Sequence, residues 1–472
     1  MKRLRQFYIE GKWQDAGNRE VMDVVNPATD ETIDQLALAT PADVETAIEA
    51  AHKAFASYAT STKKEKIGLL KSILQEYERR REELAQALTQ EMGAPISLAR
   101  KAQTELGVQH FKATLSALET YDFEQPIGNS RILREPIGVC SLITPWNWPL
   151  NQITCKIAPA LAAGCCVVLK PSEYTPLSAS VFAEIMDAAG CPAGVFNMVF
   201  GKGEEVGPTL NSHRLVDMVS LTGSTRAGIA VATQAAQTVK RVSQELGGKS
   251  PALVLRDADL NKAVRSVASD CFQNSGQSCN APTRLLIPKE LVEKAAAIAC
   301  EVARGLVIGN PSNPETTLGP LAHKAQFEKV QHLIRVGIQE GAKLEFGGEG
   351  RPDGISKGCF VKPTVFSQVK PTMTIAQEEI FGPVVSIISY DSEEEALEIA
   401  NNTIYGLSGY VFSADRDKAL SLARKIRAGM IHINGAALDF AAPFGGYKMS
   451  GNGREWGRFG LEEFLEIKSI LG

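Results

Sequence analysis

Two short stretches of the chain hold residue types that can do covalent chemistry. Residues 274–279 place Cys279 after a glycine-containing turn, where a thiol can be exposed as a nucleophile. A free cysteine has a pKa of about 8.5, so its thiol needs a nearby base or a lowered pKa. Glu245 ends a hydrophobic run, and Gly247 and Gly248 allow backbone and ligand to come close. Taken separately, Cys279 also fits a buried core position and Glu245 an ordinary turn.

Further polar groups could bind a ligand or stabilise a developing charge. Asn147 lies between two tryptophans and two prolines, and its amide could donate to an oxyanion. Lys170 and Glu173 follow a hydrophobic run, where a carboxylate suits ribose hydroxyls. Gly223 and Ser224 open a predicted helix, whose free amides and dipole favour a phosphate. Each also fits a capped turn, and both the GxGxxG fingerprint and the P-loop lysine are missing.

The elements that would position these groups alternate between strand and helix. The predicted strands are 138–144, 165–170, 195–200 and 216–221, and the predicted helices are 151–163, 177–189, 204–210 and 225–237. This alternation indicates a doubly wound parallel sheet, in which ligands bind beyond the carboxyl ends of the strands. The candidate polar groups follow these ends.

The rest of the chain adds a second block and two segments that fit neither block. Residues 1–40 predict hairpins and residues 41–120 predict helices. After Gly247 a second α/β block is predicted. Its strands lie near 252–255, 284–287, 384–389, 409–412 and 430–433. Residues 121–135 and the tail after Gly451 are predicted as strands that pair outside their own domain.

Composition excludes several classes of function. The length of 472 residues allows two or three domains, and 44% hydrophobic with 22% charged residues is typical of a globular protein. A net charge of −4 predicts no binding to nucleic acid or to an anionic membrane. The nine cysteines and six histidines are scattered without a CxxC motif, which predicts no metal site, no disulfides and a reducing compartment. No apolar run reaches the roughly 18–20 residues of a membrane span, and no signal core is seen, so the cytoplasm is predicted.

Taken together, these motifs resemble the NAD(P)-dependent aldehyde dehydrogenase superfamily, in its hydrolytic rather than its CoA-acylating branch. The resemblance extends over essentially the whole chain. The matching stretches are PWNWP at 145–149, KPSE at 170–173, LTGS at 221–224, ELGGK at 245–249, GQSC at 276–279, EEIFGP at 378–383 and PFGGYKMSG at 443–451. LTGS departs slightly from the family, which often has phenylalanine first.

The resemblance implies a catalytic role for each of five residues. Cys279 would attack the aldehyde carbonyl to give a thiohemiacetal, while the Asn147 amide and the Cys279 backbone N–H hold the oxyanion. Hydride transfer to the cofactor would leave a thioester, and Glu245 would activate the water that hydrolyses it. Lys156 and Glu455 would then pass the proton outward.

The resemblance also implies NAD as the cofactor. By motif position the cofactor-binding residues are Trp146, Lys170, Glu173, Gly223, Ser224, Glu379 and Phe381. Lys170 and Glu173 would hold the adenosine ribose, Gly223 and Ser224 the pyrophosphate, and Glu379 the nicotinamide ribose. Because a carboxylate beside the ribose 2′-oxygen repels a phosphate, Glu173 predicts NAD in preference to NADP.

The substrate is predicted only as a class. By motif position the aldehyde tunnel is lined by Trp148, Gln152, Cys155, Phe272, Gln273, Ser278, Asn280 and Phe440. This lining is more polar than an all-aromatic one, with neither an aromatic cage for a quaternary ammonium group nor an arginine for a carboxylate. The expected partner is therefore a small or medium neutral aldehyde.

The expected architecture is α/β, with a Rossmann-type doubly wound NAD domain, an α/β catalytic domain and a small β arm for oligomerisation. The NAD domain would comprise 1–117 and 137–246, the catalytic domain 247–448, and the arm 118–136 and 449–472. The arm implies a homodimer or homotetramer. The alternatives are a CoA-acylating semialdehyde dehydrogenase, which needs no base at Glu245, and a non-catalytic use of the fold for binding or structure.

Overall fold

The chain begins with hairpins and long helices. The computed structural model describes residues 3–472, so Met1 and Lys2, the start of the predicted NAD domain, lie outside the described residues. The first elements are β1 (Gln6–Ile9), β2 (Lys12–Asp15), β3 (Val21–Asn26), β4 (Glu31–Ala37), α1 (Pro41–Tyr58), α2 (Lys63–Arg79), α3 (Arg81–Met92), α4 (Ile96–Leu98), α5 (Thr104–Thr120), β5 (Glu124–Ile127) and β6 (Ser130–Pro136). The hairpins and helices predicted before residue 120 are therefore present.

Strands and helices then alternate as the sequence predicts. These elements are β7 (Val139–Ile143), α6 (Pro149–Ala163), β8 (Cys166–Lys170), α7 (Pro176–Ala188), β9 (Phe196–Met198), α8 (Gly203–Ser212), β10 (Met218–Thr222), α9 (Thr225–Ala235) and β11 (Arg241–Glu245). The strand β9 is shorter than the predicted 195–200 because only three of its residues pair with β8.

A second block and a tail complete the chain. They comprise β12 (Pro251–Val254), α10 (Leu260–Phe272), β13 (Arg284–Pro288), α11 (Val292–Arg304), α12 (Lys324–Gln339), β14 (Lys343–Phe346), β15 (Thr364–Ser367), α13 (Thr374–Gln377), β16 (Val384–Tyr390), α14 (Glu393–Asn401), β17 (Ser408–Phe412), α15 (Arg416–Ala423), β18 (Met430–Ile433), β19 (Gly451–Asn452), α16 (Gly457–Glu463) and β20 (Leu465–Ile470). Strands β14 and β15 were not predicted, since each is four residues long and β14 is largely exposed.

The first sheet brings the candidate groups to one edge. Its order is β19-β11-β10-β7-β8-β9-β1-β2, with parallel pairing from β11 to β9 and antiparallel strands at both sides. Thr222 at the end of β10 lies opposite Glu245 at the end of β11, and Ile143 in β7 lies opposite Lys170 in β8. The carboxyl ends of these strands therefore meet, as a doubly wound sheet requires.

The second sheet is covered on both faces. Its order is β14-β15-β16-β13-β12-β17-β18, parallel except for β14. Because side chains alternate along a strand, Leu253 and Leu286 pack in one apolar cluster with α12, whereas Val254 and Leu285 pack in another with α10 and α11. The α/β class expected from the sequence is confirmed.

A third sheet, in the order β20-β6-β5, joins the tail to the hairpin of β5 and β6. Ile127, Ile467 and Leu471 are 63%, 68% and 79% exposed there. The start of the predicted 449–472 arm lies elsewhere, because β19 pairs with Gln244 and Glu245 at the edge of the first sheet. The division into domains and arm stays a prediction.

Candidate active site

Cys279 follows a turn whose backbone is tightly constrained. Asn274 and Ser275 have φ values of 53° and 57°, in the left-handed region that most side chains avoid. A Cβ on Gly276 would lie 2.1 Å from the carbonyl carbon of Gly382, so only glycine fits this contact. The turn therefore packs directly against the backbone at Gly382, and this contact sets the position of Cys279.

Gly247 and Gly248 bring the end of β11 close to the same turn. A Cβ on Gly248 would lie 2.2 Å from the carbonyl oxygen of Cys279, and one on Gly247 would lie 2.6 Å from Oε2 of Glu379. The close approach predicted for these glycines is therefore present. It places Glu245, at the end of β11, beside the cysteine.

Glu245, which is buried, and Cys279, which is half-buried, form an acid–thiol pair. Glu245 is 2% exposed, and neither carboxylate oxygen has a hydrogen bond of ordinary length among residues 3–472. Burial, with a contribution from the charge of Glu455, raises the pKa of Glu245 to about 8. Burial and then the charge of Glu245 raise the pKa of the Cys279 thiol well above its usual value. Because each anion disfavours the other, the pair retains at least one proton at neutral pH.

The loop that holds Asn147 is hydrogen-bonded to the turn that precedes Cys279. Asn147 is 4% exposed, and its side-chain amide donates to the backbone carbonyl of Gln277 over 3.0 Å. The backbone carbonyl of Asn147 accepts hydrogen bonds from the side chains of Asn274, at 2.8 Å, and Gln103, at 3.1 Å. One hydrogen of the Asn147 amide engages Gln277, and the other is available to an acceptor beside Cys279.

Lys156 and Glu455 form a buried ion pair behind the acid–thiol pair. The Lys156 ammonium contacts Oε1 of Glu455, and Cys155 donates a weak hydrogen bond to Oε2 over 3.4 Å. Burial acts to lower the pKa of Lys156, but the contributions of Glu455, Cys155 and Glu245 together outweigh it, and the net shift is upward. Glu455 also raises the pKa of Glu245, so the two carboxyl groups interact electrostatically.

One cavity, of about 340 Å³, opens on the side of the first sheet and is called here the dinucleotide cavity. Predicted cofactor residues that line it are Trp146, Gly223, Ser224, Glu379 and Phe381. Lys170 and Glu173 do not line it. Lys170 is buried with its ammonium 3.2 Å from Oε2 of Glu173, and Glu173 faces an adjoining groove together with Tyr174.

The chemistry of this lining fits a dinucleotide. Ser224 caps α9, where backbone N–H groups without helical partners favour a phosphate. Glu379 accepts a hydrogen bond from the Gly248 amide at 2.8 Å and leaves its other oxygen for a sugar hydroxyl. The Phe381 and Trp146 rings meet edge to face, 5.4 Å apart, and offer apolar surface to a planar ring.

Sequence reasoning missed several residues of the dinucleotide cavity. His323 stacks on Tyr174 with ring centroids 4.2 Å apart and meets Trp146 edge-on at 5.0 Å. Gln326 and Lys329, on the first turns of α12, also line the cavity. Nothing in the local sequence indicates a role for these residues. The helix α12 packs on the second sheet, and only the folded chain brings its first turns to the dinucleotide cavity.

A second cavity, of about 310 Å³, lies on the other side of Cys279 and is called here the aldehyde cavity. Predicted tunnel residues that line it are Trp148, Gln152, Gln273, Ser278 and Asn280. The Trp148 indole donates to the Ser278 hydroxyl over 2.8 Å, which orders this wall.

Three predicted tunnel residues lie outside this lining, and their place in the tunnel stays a prediction. Phe440 lines a separate surface depression and packs against Trp456, with ring centroids 5.2 Å apart. Cys155 and Phe272 are buried and lie outside the lining. Phe444 and Trp456 contribute aromatic side chains to the lining, and Phe440 packs in the same apolar cluster as these two rings.

Cys279 lines both cavities, so its sulfur can meet a group bound in either one. In residues 3–472 no cluster of three or more metal-type ligands is found, and no helix is long and apolar enough to cross a membrane. An α/β fold with a half-buried thiol and a buried carboxylate between a dinucleotide cavity and a substrate cavity defines the class of thiol-dependent dehydrogenases.

Comparison with known proteins assigns the family. Residues 13–470 match the model of the aldehyde dehydrogenase family. A relative from a Pseudomonas species, 3-succinoylsemialdehyde-pyridine dehydrogenase, is 52% identical over 100% of this chain and 99% of its own length. The chain belongs to the aldehyde dehydrogenase family, and the predicted membership is confirmed.

Solved structures show the same fold. A mutant of aldehyde dehydrogenase C from Pseudomonas syringae, in complex with NAD+ and octanal, has a TM-score of 0.98 at 50% identity, over 99% of this chain and 96% of that one. Betaine aldehyde dehydrogenase from Staphylococcus aureus, in complex with NAD+, has a TM-score of 0.95 at 37% identity, over 99% of this chain and 94% of that one.

Proposed function

We propose that this chain oxidises an aldehyde to the carboxylic acid with NAD as the hydride acceptor, through a covalent intermediate on Cys279. The observation that carries the proposal is that Cys279 lines both cavities. A carbonyl carbon bonded to its sulfur lies at their junction, within reach of a cofactor on one side and with its substituent in the aldehyde cavity on the other. Family membership and the NAD+ complexes of the two solved relatives support the same reaction.

The proton chemistry begins at the acid–thiol pair. Glu245 takes the thiol proton as the Cys279 sulfur attacks the carbonyl, and the thiohemiacetal oxyanion accepts hydrogen bonds from the Asn147 amide and the Cys279 backbone N–H. When bound, NAD accepts the hydride from this carbon, and a thioester remains on Cys279. Glu245 first passes the thiol proton to the Lys156–Glu455 pair, which releases it outward, and the restored carboxylate then removes a proton from the water that hydrolyses the thioester. The carboxylic acid leaves, the Cys279 thiolate is regenerated, and the second proton follows the same route outward.

Each cofactor residue has a proposed contact. The N-terminus of α9, at Gly223 and Ser224, holds the pyrophosphate, and Glu379 holds the nicotinamide ribose. Lys170 and Glu173 hold the adenosine ribose from the adjoining groove, into which Glu173 projects. A phosphate on that ribose would face the Glu173 carboxylate, so NAD is preferred to NADP.

The buried carboxylate of Glu245 favours the hydrolytic reaction over the CoA-acylating one. A buried acid with a raised pKa beside a thiol is costly, and such a group is typical of a site where it acts on a ligand or water. A non-catalytic binding or structural protein has no use for this group beside a thiol and Asn147. The domain boundaries, a homodimer or homotetramer built through the arm, and a cytoplasmic location stay predictions.

Aldehyde-dependent formation of NADH tests the proposal directly. Wild-type protein is expected to form NADH from small and medium aldehydes without CoA, and with a higher kcat/KM for NAD than for NADP. The measurement is absorbance over an aldehyde panel, with and without CoA. Turnover that appears only when CoA is added would show the acylating reaction instead, and equal kcat/KM values for the two cofactors would remove the role given to Glu173.

Asn147→Ala is expected to lower kcat by about 10²–10³-fold, because a lost oxyanion donor typically costs about 2.7–4 kcal/mol. In this variant the Gln277 backbone carbonyl still has a hydrogen-bond donor, because the Asn274 side-chain amide donates to it over 3.3 Å. The control is Asn211→Ala, which removes a buried amide from α8, outside both cavities. Equal loss of kcat in both variants would assign the Asn147 effect to stability rather than to the oxyanion.

A further inference from the structure

The aldehyde cavity contains an acidic residue that the proposed chemistry does not use. Asp270 lies on the last turn of α10 and lines the cavity together with Cys279. Among the described residues, it is the sole lining side chain with a formal charge at neutral pH. The lining includes neither lysine nor arginine.

The Asp270 carboxylate has no partner in the described part of the chain. Among residues 3–472 this carboxylate makes no hydrogen bond and no ion pair, whereas Glu290 and Glu301 are each paired with an arginine. Its side chain is exposed to the cavity, while neighbouring atoms desolvate it and raise its pKa to about 6. At the slightly alkaline pH of a dehydrogenase assay it is therefore an unpaired anion.

Asp270, Tyr410 and Cys279 all line the aldehyde cavity. The pKa of Tyr410 is raised first by burial, then by the charge of Asp270 and then by Cys279, so this ring is near both groups. Tyr410 donates its hydroxyl to the backbone carbonyl of Asn280 over 2.9 Å and stacks on His432, with ring centroids 4.7 Å apart.

His432 adds no positive charge to this end of the cavity. Its Nδ1 donates to the backbone carbonyl of Ala436 over 2.7 Å, and burial lowers its pKa. The ring is therefore neutral at pH 7. A substrate that reacts at Cys279 therefore shares the cavity with the Tyr410 and His432 rings and with a single carboxylate, that of Asp270.

We propose that Asp270 determines substrate specificity by selecting aldehydes whose far end is cationic, such as an ammonium group, and by disfavouring aldehydes that end in a carboxylate. This departs from the neutral class expected from the sequence, which contains no sign that Asp270 lines the aldehyde cavity. The inference rests on the proposed function, since it assumes that the aldehyde reacts at Cys279.

The test is a series of aldehydes with one alkyl spacer and three different tails. The tails are trimethylammonium, its neutral isostere tert-butyl, and carboxylate, and kcat/KM is measured with NAD for each. Wild type is expected to prefer the trimethylammonium tail over tert-butyl by about fivefold, the range of a solvent-exposed ion pair. The carboxylate tail is expected to rank last.

Asp270→Asn is expected to bring the ratio between the trimethylammonium and tert-butyl substrates to about one, since the carboxylate is replaced by a neutral group of the same shape. Asp270→Lys is expected to reverse the order, so that the carboxylate tail exceeds the trimethylammonium tail. Asp353→Asn removes the same charge from an exposed loop outside the cavity and should retain the wild-type ratios.

Two outcomes would overturn the inference, and they are distinguishable. If Asp270→Asn keeps the wild-type kcat/KM ratios between the three substrates, the Asp270 carboxylate does not select the substrate tail. The proposed dehydrogenase reaction is not affected by that result. Failure of the wild-type protein to oxidise any of the three aldehydes, together with silence over the wider panel, would contradict the proposed function and the inference with it. A reversed preference in Asp270→Lys shows that the variant is folded and that charge, not shape, decides.

Discussion

Cys279→Ala is expected to lower kcat by at least about 10⁴-fold, because the nucleophile that carries the covalent intermediate is lost. The thiol lies between the two cavities, and among the groups there only its sulfur can form a thiohemiacetal. The measurement is NADH formation with an aldehyde that wild type oxidises. NAD affinity, measured by titration, should change little, since alanine removes one atom at the end of the dinucleotide cavity.

A matched control separates this effect from the loss of a buried thiol. Cys300→Ala removes a cysteine from α11 that is 4% exposed and lines neither cavity. It is expected to retain wild-type kcat. Substantial NADH formation by Cys279→Ala, at rates within tenfold of wild type, would mean that oxidation proceeds without a covalent intermediate.

Glu245→Gln is expected to release one NADH per active site in a burst and then to turn over about 10²–10⁴-fold more slowly than wild type. Glutamine fills the same buried space but accepts no proton from water, so the thioester accumulates. Rapid mixing with absorbance detection resolves the burst from the steady rate. Intact-mass analysis after the burst should show the acyl group on the protein.

The pH profile of the wild type provides a second readout of Glu245. Burial raises the pKa of this carboxyl group from its ordinary value to about 8, so below pH 8 it is mostly protonated and cannot act as a base. Wild-type kcat is therefore expected to rise with pH through an apparent pKa near 8, if hydrolysis of the thioester limits turnover. Glu245→Gln should lose this limb.

The control for Glu245 is Glu378→Gln, which makes the same change at an exposed side chain outside both cavities. It is expected to show the wild-type rate and pH profile. Steady turnover of Glu245→Gln at the wild-type rate, without a burst, would contradict the role of Glu245 as the base and would reopen the CoA-acylating alternative.

Local sequence was sufficient to predict the elements and the edge at which ligands bind. Hydrophobic runs of strand length alternate with helices, and parallel strands must end at a common edge, so Lys170, Thr222 and Glu245 could be placed there without coordinates. Short elements were not predicted, because prediction from local sequence depends on a hydrophobic run. Strand β14 has no hydrophobic run, and its pairing with β15 depends on contacts that lie far along the chain.

Both cavities are lined by residues that motif position did not predict. Motif position did not predict Phe444 and Trp456, which line the aldehyde cavity, while Phe440 packs against Trp456 and its place in the tunnel stays a prediction. His323 and Lys329 reach the dinucleotide cavity from a helix of the second sheet. A loop's path and the approach of one sheet to another depend on packing across the whole molecule, which no local pattern encodes.

The sequence by itself determined the α/β class, the family and the identities of the residues proposed for chemistry, since these depend on residue type, local periodicity and motif order. Only the tertiary structure decided that Cys279 lines both cavities, that Glu245 is buried deeply enough for a pKa of about 8, and that Asp270 faces the aldehyde cavity. The physical reason is that desolvation and charge interactions depend on which distant segments pack together, and those distances arise only when the chain is folded.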